Sequence, residues 1–243
     1  MPRELRPNRA GTTYHLFIRG VAKAPLALDG EDFGRTLNLL ERTVSRYALV
    51  CHAWSLMPNH HHFLLTTQEA NVSRAMQWFC ARTAEAFNKR YGRDGHLYQG
   101  RFGSRTVKHD AYFTQLARYV PLNPVRAGLC DAPEDWAWSS YAATVGLLVP
   151  TPRYLDTGAI FEQFTSVPEY ITWVADLSAA EAALDEDGFP YPPSRPSLVT
   201  LLQDDTDRGI AYAHFRHGYT HRAIAEHMGV SQSQISRRIA SSR

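Results

Sequence analysis

The chain has 243 residues, of which 44% are hydrophobic, so it can form one medium-sized domain and a small second unit. Its three scattered cysteines argue against a disulfide scaffold or a zinc ribbon. Its formal net charge is only +2, and this charge is unevenly distributed: +6 for residues 1–150, −6 for residues 151–198 and +2 for residues 199–243. The two basic blocks indicate nucleic acid as partner, and the lack of a membrane-length apolar run or a signal peptide predicts a soluble, cytoplasmic protein without a membrane partner.

Four strands and three helices are predicted in the first 150 residues. Strands are expected at residues 12–19, at residues 48–57, in the histidine-rich stretch after the Met-Pro-Asn turn, and near residue 105. Helices are expected at residues 29–47, at residues 72–91 and after Asp110. The order β-α-β-β-α-β-α folds most simply as an antiparallel sheet with helices on one face. The predicted class is therefore α+β with a ferredoxin-like arrangement.

The chain beyond residue 150 divides into two further parts. Residues 151–198 form an acidic helical segment that ends in a proline-rich linker. Residues 199–243 form a small all-α unit that resembles the helix-turn-helix of many bacterial regulators, with Thr220 and Ser231 as helix caps and Gly229 in the turn. A plain three-helix bundle is the alternative. A DNA-reading helix is expected to carry these polar side chains outward: Gln232, Ser233, Gln234, Ser236 and Arg237.

Three consecutive histidines open the third predicted strand. Because side chains alternate along a strand, His60 and His62 share one face and His61 points to the other. Two imidazoles on one face can bind a divalent metal ion, but they need a further ligand. His61 is expected to be a neutral, hydrogen-bonded core residue.

The helix after Asp110 offers two candidates for the same site. Tyr119 and Asn123 are four residues apart, which is the spacing of one helix face. A tyrosine beside a metal can act as a nucleophile, and an asparagine oxygen can bind Mg²⁺ or Mn²⁺, although core packing of the tyrosine is the alternative. Pro121 removes a helix hydrogen bond and could displace Asn123; His52 and His109 are less favoured substitute ligands.

Several separated motifs resemble those of the REP-associated tyrosine transposases, which belong to the HUH single-tyrosine transposases. The motifs are SLMPNHHHFLL, GHLYQGRF, ARYVPLNPVRAGL and EDWAWSSY, and the likeness covers about residues 12–145. It implies that residues 1–150 are a catalytic domain in which His60, His62 and Asn123 hold Mg²⁺ or Mn²⁺ and Tyr119 is the nucleophile. It also implies that the enzyme nicks and rejoins single-stranded DNA near palindromic hairpins through a 5′-phosphotyrosine.

Basic residues around these motifs are candidates for phosphate contacts. They are Arg19, Arg101, Arg105, Lys108, Arg118 and Arg126. The C-terminal unit is expected to add hairpin or duplex recognition, to a monomer or a homodimer. Two other functions stay open at this point: a domesticated DNA-binding protein without catalysis, and a histidine-rich metal site unrelated to DNA.

Overall fold

A computed structural model of the protein describes residues 8–176, 197–215, 219 and 221–241. The strands are β1 (Thr12–Arg19), β2 (Leu49–Leu56), β3 (His60–Thr67) and β4 (Gly103–Thr106). The helices of the first 150 residues are α1 (Gly30–Arg46), α2 (Val72–Tyr91), α3 (Asp110–Arg126) and the short α4 (Tyr141–Thr144). The predicted element order is confirmed.

The four strands form one sheet in the order β2-β3-β1-β4, and every neighbouring pair is antiparallel. This is the order of a ferredoxin-like fold, so the predicted fold class is confirmed. In the register, Ile18 lies opposite His61, and Phe17 lies opposite both His62 and Gly103. Gly103 is required at its position, because an added Cβ would lie 2.1 Å from the Phe17 ring.

The sheet has a helix face that packs on α1 and α2. This core joins alternate strand residues such as Tyr14, Leu16 and Phe63 to helix residues such as Leu40 and Phe79, all of them buried. α1 begins at an aspartate cap, since the side chain of Asp29 accepts a hydrogen bond from the backbone N–H of Asp32. β2 and β3 are buried along most of their length, whereas α1 and α2 each bury one stripe. Apolar content therefore predicted the strands, and apolar spacing predicted the helices.

α3 continues through Pro121 and Pro124 to Arg126, so Tyr119 and Asn123 lie on one helix. A proline at position 121 has no N–H to donate to the carbonyl of Ala117, four residues earlier. The phenol of Tyr170 supplies the missing donor, because its Oη donates to the Ala117 oxygen at 2.8 Å. Both partners are buried, with 1% of each residue's surface exposed.

The described residues fold into two compact units. One unit contains the residues up to Val107 together with Val120–Asp156; the other contains Lys108–Tyr119 and the residues from Thr157 onward. The helices of the second unit beyond α3 are α5 (Gly158–Phe161), α6 (Val167–Ala175), α7 (Leu198–Leu201), α8 (Asp207–Phe215), α9 (His221–Met228) and α10 (Gln232–Ser241). None of the helices in the described ranges is long and apolar enough to cross a membrane.

The helices from α7 to α10 share a small apolar core centred on Ile210, Ile224 and Ile235. Gly229 turns the chain between α9 and α10 with a φ of +67°, a conformation that favours glycine. Ser231 and Gln234 cap α10 reciprocally: each side chain accepts a hydrogen bond from the other residue's backbone N–H. The predicted cap at Thr220 and the prolines of the predicted linker, Pro190 to Pro196, lie outside the described residues, as do residues 177–189 of the acidic segment.

Candidate metal and nucleic-acid site

The face of the sheet opposite α1 and α2 carries a row of histidines, and we call it the histidine face. His60 and His62 lie on it as alternation in β3 requires, with ring centroids 5.0 Å apart and perpendicular ring planes. His15 of the neighbouring strand β1 joins them: its Nε2 lies 3.1 Å from Nδ1 of His62. Sequence reasoning missed His15, although its position in β1, two residues before Phe17, places it on this face once the register is known.

Both ligand candidates of β3 are held in a form that suits metal binding. Nδ1 of His60 donates to Oδ1 of Asn59 at 2.7 Å, so the lone pair of a neutral ring lies on Nε2. Burial, with a smaller contribution from the charge of Arg19, lowers the pKa of His60 from 6.5 to about 4. Burial and the nearby charges of His15 and His60 put the pKa of His62 well below 6.5. Neutral imidazoles are the form that binds metals.

His61 points to the helix face and has a different environment. It is 1% exposed and lines a small cavity with Thr36, Leu39 and Phe87. Its Nδ1 donates to the backbone oxygen of His60 at 3.0 Å. Burial lowers its pKa to about 3, so the ring is neutral, as expected for a core histidine.

Tyr119 and Asn123 lie on the continuous helix α3, both buried, with 8% of each residue's surface exposed. Asn123 belongs to the unit that contains the sheet, and Tyr119 belongs to the second unit. Their roles stay predictions. The two substitute ligands have other partners: Nε2 of His52 bonds to Oγ1 of Thr66 at 2.8 Å, and Nδ1 of His109 accepts from the backbone N–H of Tyr112.

The predicted phosphate contacts differ in exposure. Arg19, Arg101, Lys108 and Arg126 are exposed, and Arg105 is half-buried in β4. Arg118 is an incorrect prediction: only 4% of its surface is exposed, and its guanidinium lies over the ring of Trp173, 4.9 Å from the centroid. A buried guanidinium that stacks on an indole supports packing and cannot neutralise a surface phosphate.

The predicted DNA-reading residues of α10 are exposed, with one exception. Gln232, Ser233, Gln234 and Arg237 are exposed. Ser236 is half-buried and faces inward, with Oγ 3.1 Å from Nδ1 of His221, which corrects its predicted outward position. Arg238, next to Arg237, is held by ion pairs to Asp205 and Asp207 at 2.8 and 2.6 Å.

Comparisons with known proteins give matches over the part of the chain that contains the sheet. Residues 9–123 match the family described as "Transposase IS200 like". The chain is 25% identical over 113 positions to a protein of Haemophilus influenzae (strain ATCC 51907 / DSM 11121 / KW20 / Rd) that is named as a REP-associated tyrosine transposase. That alignment covers 42% of this chain and 64% of the relative, so the chain spans less than two thirds of that relative's length.

A solved structure of a REP-associated tyrosine transposase bound to a REP hairpin has the same fold. Its TM-score is 0.53 at 18% sequence identity, and the match covers 65% of this chain and 96% of that one. The sheet order, the histidine strand and the family match all concern the same stretch of sequence. Residues 9–123 are therefore similar in sequence to the IS200-like transposases, and the sheet within them has the fold of a REP-associated tyrosine transposase.

Proposed function

We propose that the protein nicks and rejoins single-stranded DNA near REP-like hairpins. The observation that carries this proposal is the pair of histidines on the histidine face, His60 and His62, whose ring centroids lie 5.0 Å apart with His15 bonded to the second of them. The family match and the hairpin bound by the structural relative support the choice of DNA as substrate. We expect the reaction to take place in the cytoplasm.

The donor set fits a divalent ion held by His60, His62 and Asn123. Two imidazole nitrogens and one amide oxygen form a mixed set, which suits Mn²⁺ better than Mg²⁺, because Mg²⁺ prefers oxygen ligands. A bound divalent ion would withdraw negative charge from the scissile phosphate and orient it. His15 supports this set by bonding to Nδ1 of His62, since such outer partners orient a ligating imidazole.

Tyr119 is the proposed nucleophile. Its Oη attacks the phosphorus as the bond to the 3′-oxygen breaks; the phenol loses its proton and the 3′-oxygen gains one. The product is a 5′-phosphotyrosine and a free 3′-hydroxyl. The new phosphodiester keeps the energy of the old one, so a DNA 3′-hydroxyl can attack it, release the phenol and join the strands without ATP.

Exposed basic residues near the histidine face are proposed to hold the DNA backbone. Arg19 lies opposite His60 in the register of β1 and β3, so both side chains belong to the same face. Its charge contributes to the lowered pKa of His60, which indicates electrostatic proximity. Outside the sheet, α10 is proposed to contact hairpin or duplex DNA through Gln232, Ser233, Gln234 and Arg237.

The test is the formation of a covalent adduct between the protein and labelled hairpin DNA with a single-stranded flank, with Mn²⁺ or Mg²⁺ present. We expect an adduct that survives denaturation, maps to Tyr119 by peptide mass and disappears with chelator. Tyr119→Phe is the control that retains the ring. Tight hairpin binding without any adduct would favour the rival function, a DNA-binding protein that no longer cleaves.

A further inference from the structure

A second group of possible metal ligands lies in the unit that contains α6 and the C-terminal helices. It consists of Glu169 on α6, His214 on α8 and His221 on α9, and we call it the Glu169 cluster. Their ligand atoms all lie within 4.8 Å of one another. The two histidines are buried, at 1% and 0% side-chain exposure, and the carboxylate is 12% exposed. None of these residues belongs to the motifs that resemble the transposases.

Hydrogen bonds determine where the lone pairs of the two rings point. Nδ1 of His214 lies 2.8 Å from the backbone oxygen of Tyr219, which can only accept, so this nitrogen carries the proton. The hydroxyl of Ser236 donates to the backbone oxygen of Gln232 and therefore accepts from Nδ1 of His221. In the neutral rings both Nε2 atoms are then acceptors.

These acceptor nitrogens face a carboxylate oxygen. Oε1 of Glu169 lies 3.4 Å from Nε2 of His221 and 3.8 Å from Nε2 of His214. The other carboxylate oxygen, Oε2, accepts from the backbone N–H and the hydroxyl of Thr165 at 2.7 and 2.5 Å, which orients the group. Two hydrogen bonds donated to Oε2 favour the ionised carboxylate.

We propose that the Glu169 cluster binds a divalent transition-metal ion, with Zn²⁺ as the best fit. Three acceptor atoms that converge in a buried place repel one another unless a cation lies between them. Tetrahedral zinc with bonds of about 2.0–2.2 Å separates its ligand atoms by about 3.3–3.6 Å, close to the distances from Oε1 to the two nitrogens. Each ligand also has the outer hydrogen bond that is typical of zinc sites.

Such an ion would join three helices of the second unit. α6 carries Glu169 next to Tyr170, the residue that donates to the Ala117 carbonyl of α3. The ion would therefore link the helix-turn-helix to the same short helix that supports α3. This role is structural and does not depend on the proposed nicking reaction.

The experiment measures metal bound by the tag-free chain of 243 residues after treatment with a chelator. The protein used is the His60→Ala/His62→Ala variant, which lacks the proposed ligands of the histidine face. After the chelator has been removed, Zn²⁺ is added to this variant. We expect one tightly bound zinc per chain, a higher Tm with zinc, and visible absorption of tetrahedral Co²⁺ when cobalt replaces it. In the same His60→Ala/His62→Ala background, Glu169→Gln should lower the zinc affinity at least tenfold, whereas Glu162→Gln, at an exposed position, should not change it.

Two results would overturn the proposal. One is the absence of stoichiometric zinc in a folded His60→Ala/His62→Ala chain. That result would mean that a proton shared by the Glu169 carboxylate and a histidine nitrogen takes the place of the metal ion. The other is zinc binding that stays unchanged by Glu169→Gln and by His214→Ala. Because adduct formation is not the readout, an inactive protein can still confirm the metal site, and an active one can still refute it.

Discussion

The hydrogen bond from Tyr170 to the Ala117 carbonyl makes a sharp prediction about how α3 accommodates a proline. Tyr170→Phe keeps the ring, which packs on Phe161 and Phe164 with centroids 6.0 and 5.2 Å away, and removes only the hydroxyl. The Ala117 carbonyl then has no donor from position 121, since Pro121 has no N–H. Leaving one buried polar group unsatisfied costs about 1–3 kcal/mol.

The effect can be measured by urea unfolding, followed by circular dichroism. If the free energy of unfolding falls by about 3 kcal/mol per M urea, a loss of about 1–3 kcal/mol lowers the urea concentration at the unfolding midpoint by about 0.3–1 M. Tyr212→Phe is the matched control, because Tyr212 lies in the same unit with 52% of its surface exposed. We expect it to change the free energy of unfolding by less than about 0.5 kcal/mol.

A double-mutant cycle with Pro121→Ala tests the reason for the loss. Alanine at position 121 provides an N–H that can bond to the Ala117 carbonyl within the helix. Tyr170→Phe should then cost about 1 kcal/mol less in the Pro121→Ala background than in the unsubstituted chain. Equal costs in the two backgrounds would refute the compensation, as would a Tyr170→Phe variant as stable as the unsubstituted protein.

The remaining predictions concern the histidines, the nucleophile and the C-terminal helix. His60→Ala or His62→Ala should abolish metal-dependent cleavage, whereas His61→Val should leave it largely intact. Loss of metal binding in His61→Val alone would show that the faces of β3 are assigned the wrong way round. Between pH 6.5 and about 3, His61 takes up a proton in the unfolded chain but not in the folded one, so the free energy of unfolding falls as the pH falls. His61→Val should reduce this pH dependence by up to about 1.4 kcal/mol per pH unit. Urea unfolding across that pH range measures it. Tyr119→Phe should bind hairpin DNA normally but form no adduct, and an adduct mapped to Tyr112 would contradict the assignment. Arg237→Ala should weaken DNA binding and, if Arg237 contacts a phosphate, reduce the slope of log K against log salt concentration by about one unit. Arg238→Ala should instead destabilise the fold. An unchanged DNA affinity in Arg237→Ala would show that α10 does not contact the DNA.

The sequence alone determined the local elements and the fold class. Alternation in β3 separated His60 and His62 from His61, and apolar spacing located α1 and α2, because these patterns depend on periods of 2.0 and 3.6 residues. Gly229 and Ser231 marked the C-terminal turn and cap for equally local reasons. Such features need no knowledge of which segments meet in space.

Only the tertiary structure decided how distant residues combine. His15 reaches His62 because β1 and β3 pair in one register, and a shift of one residue would place His15 on the other face. Tyr170 compensates for Pro121 from about fifty residues along the chain, and Trp173 takes Arg118 out of the predicted DNA contacts. Glu169, His214 and His221 converge although no motif connects them. A local pattern reports the period of a segment, whereas these contacts depend on the packing of segments against one another, which no single segment encodes.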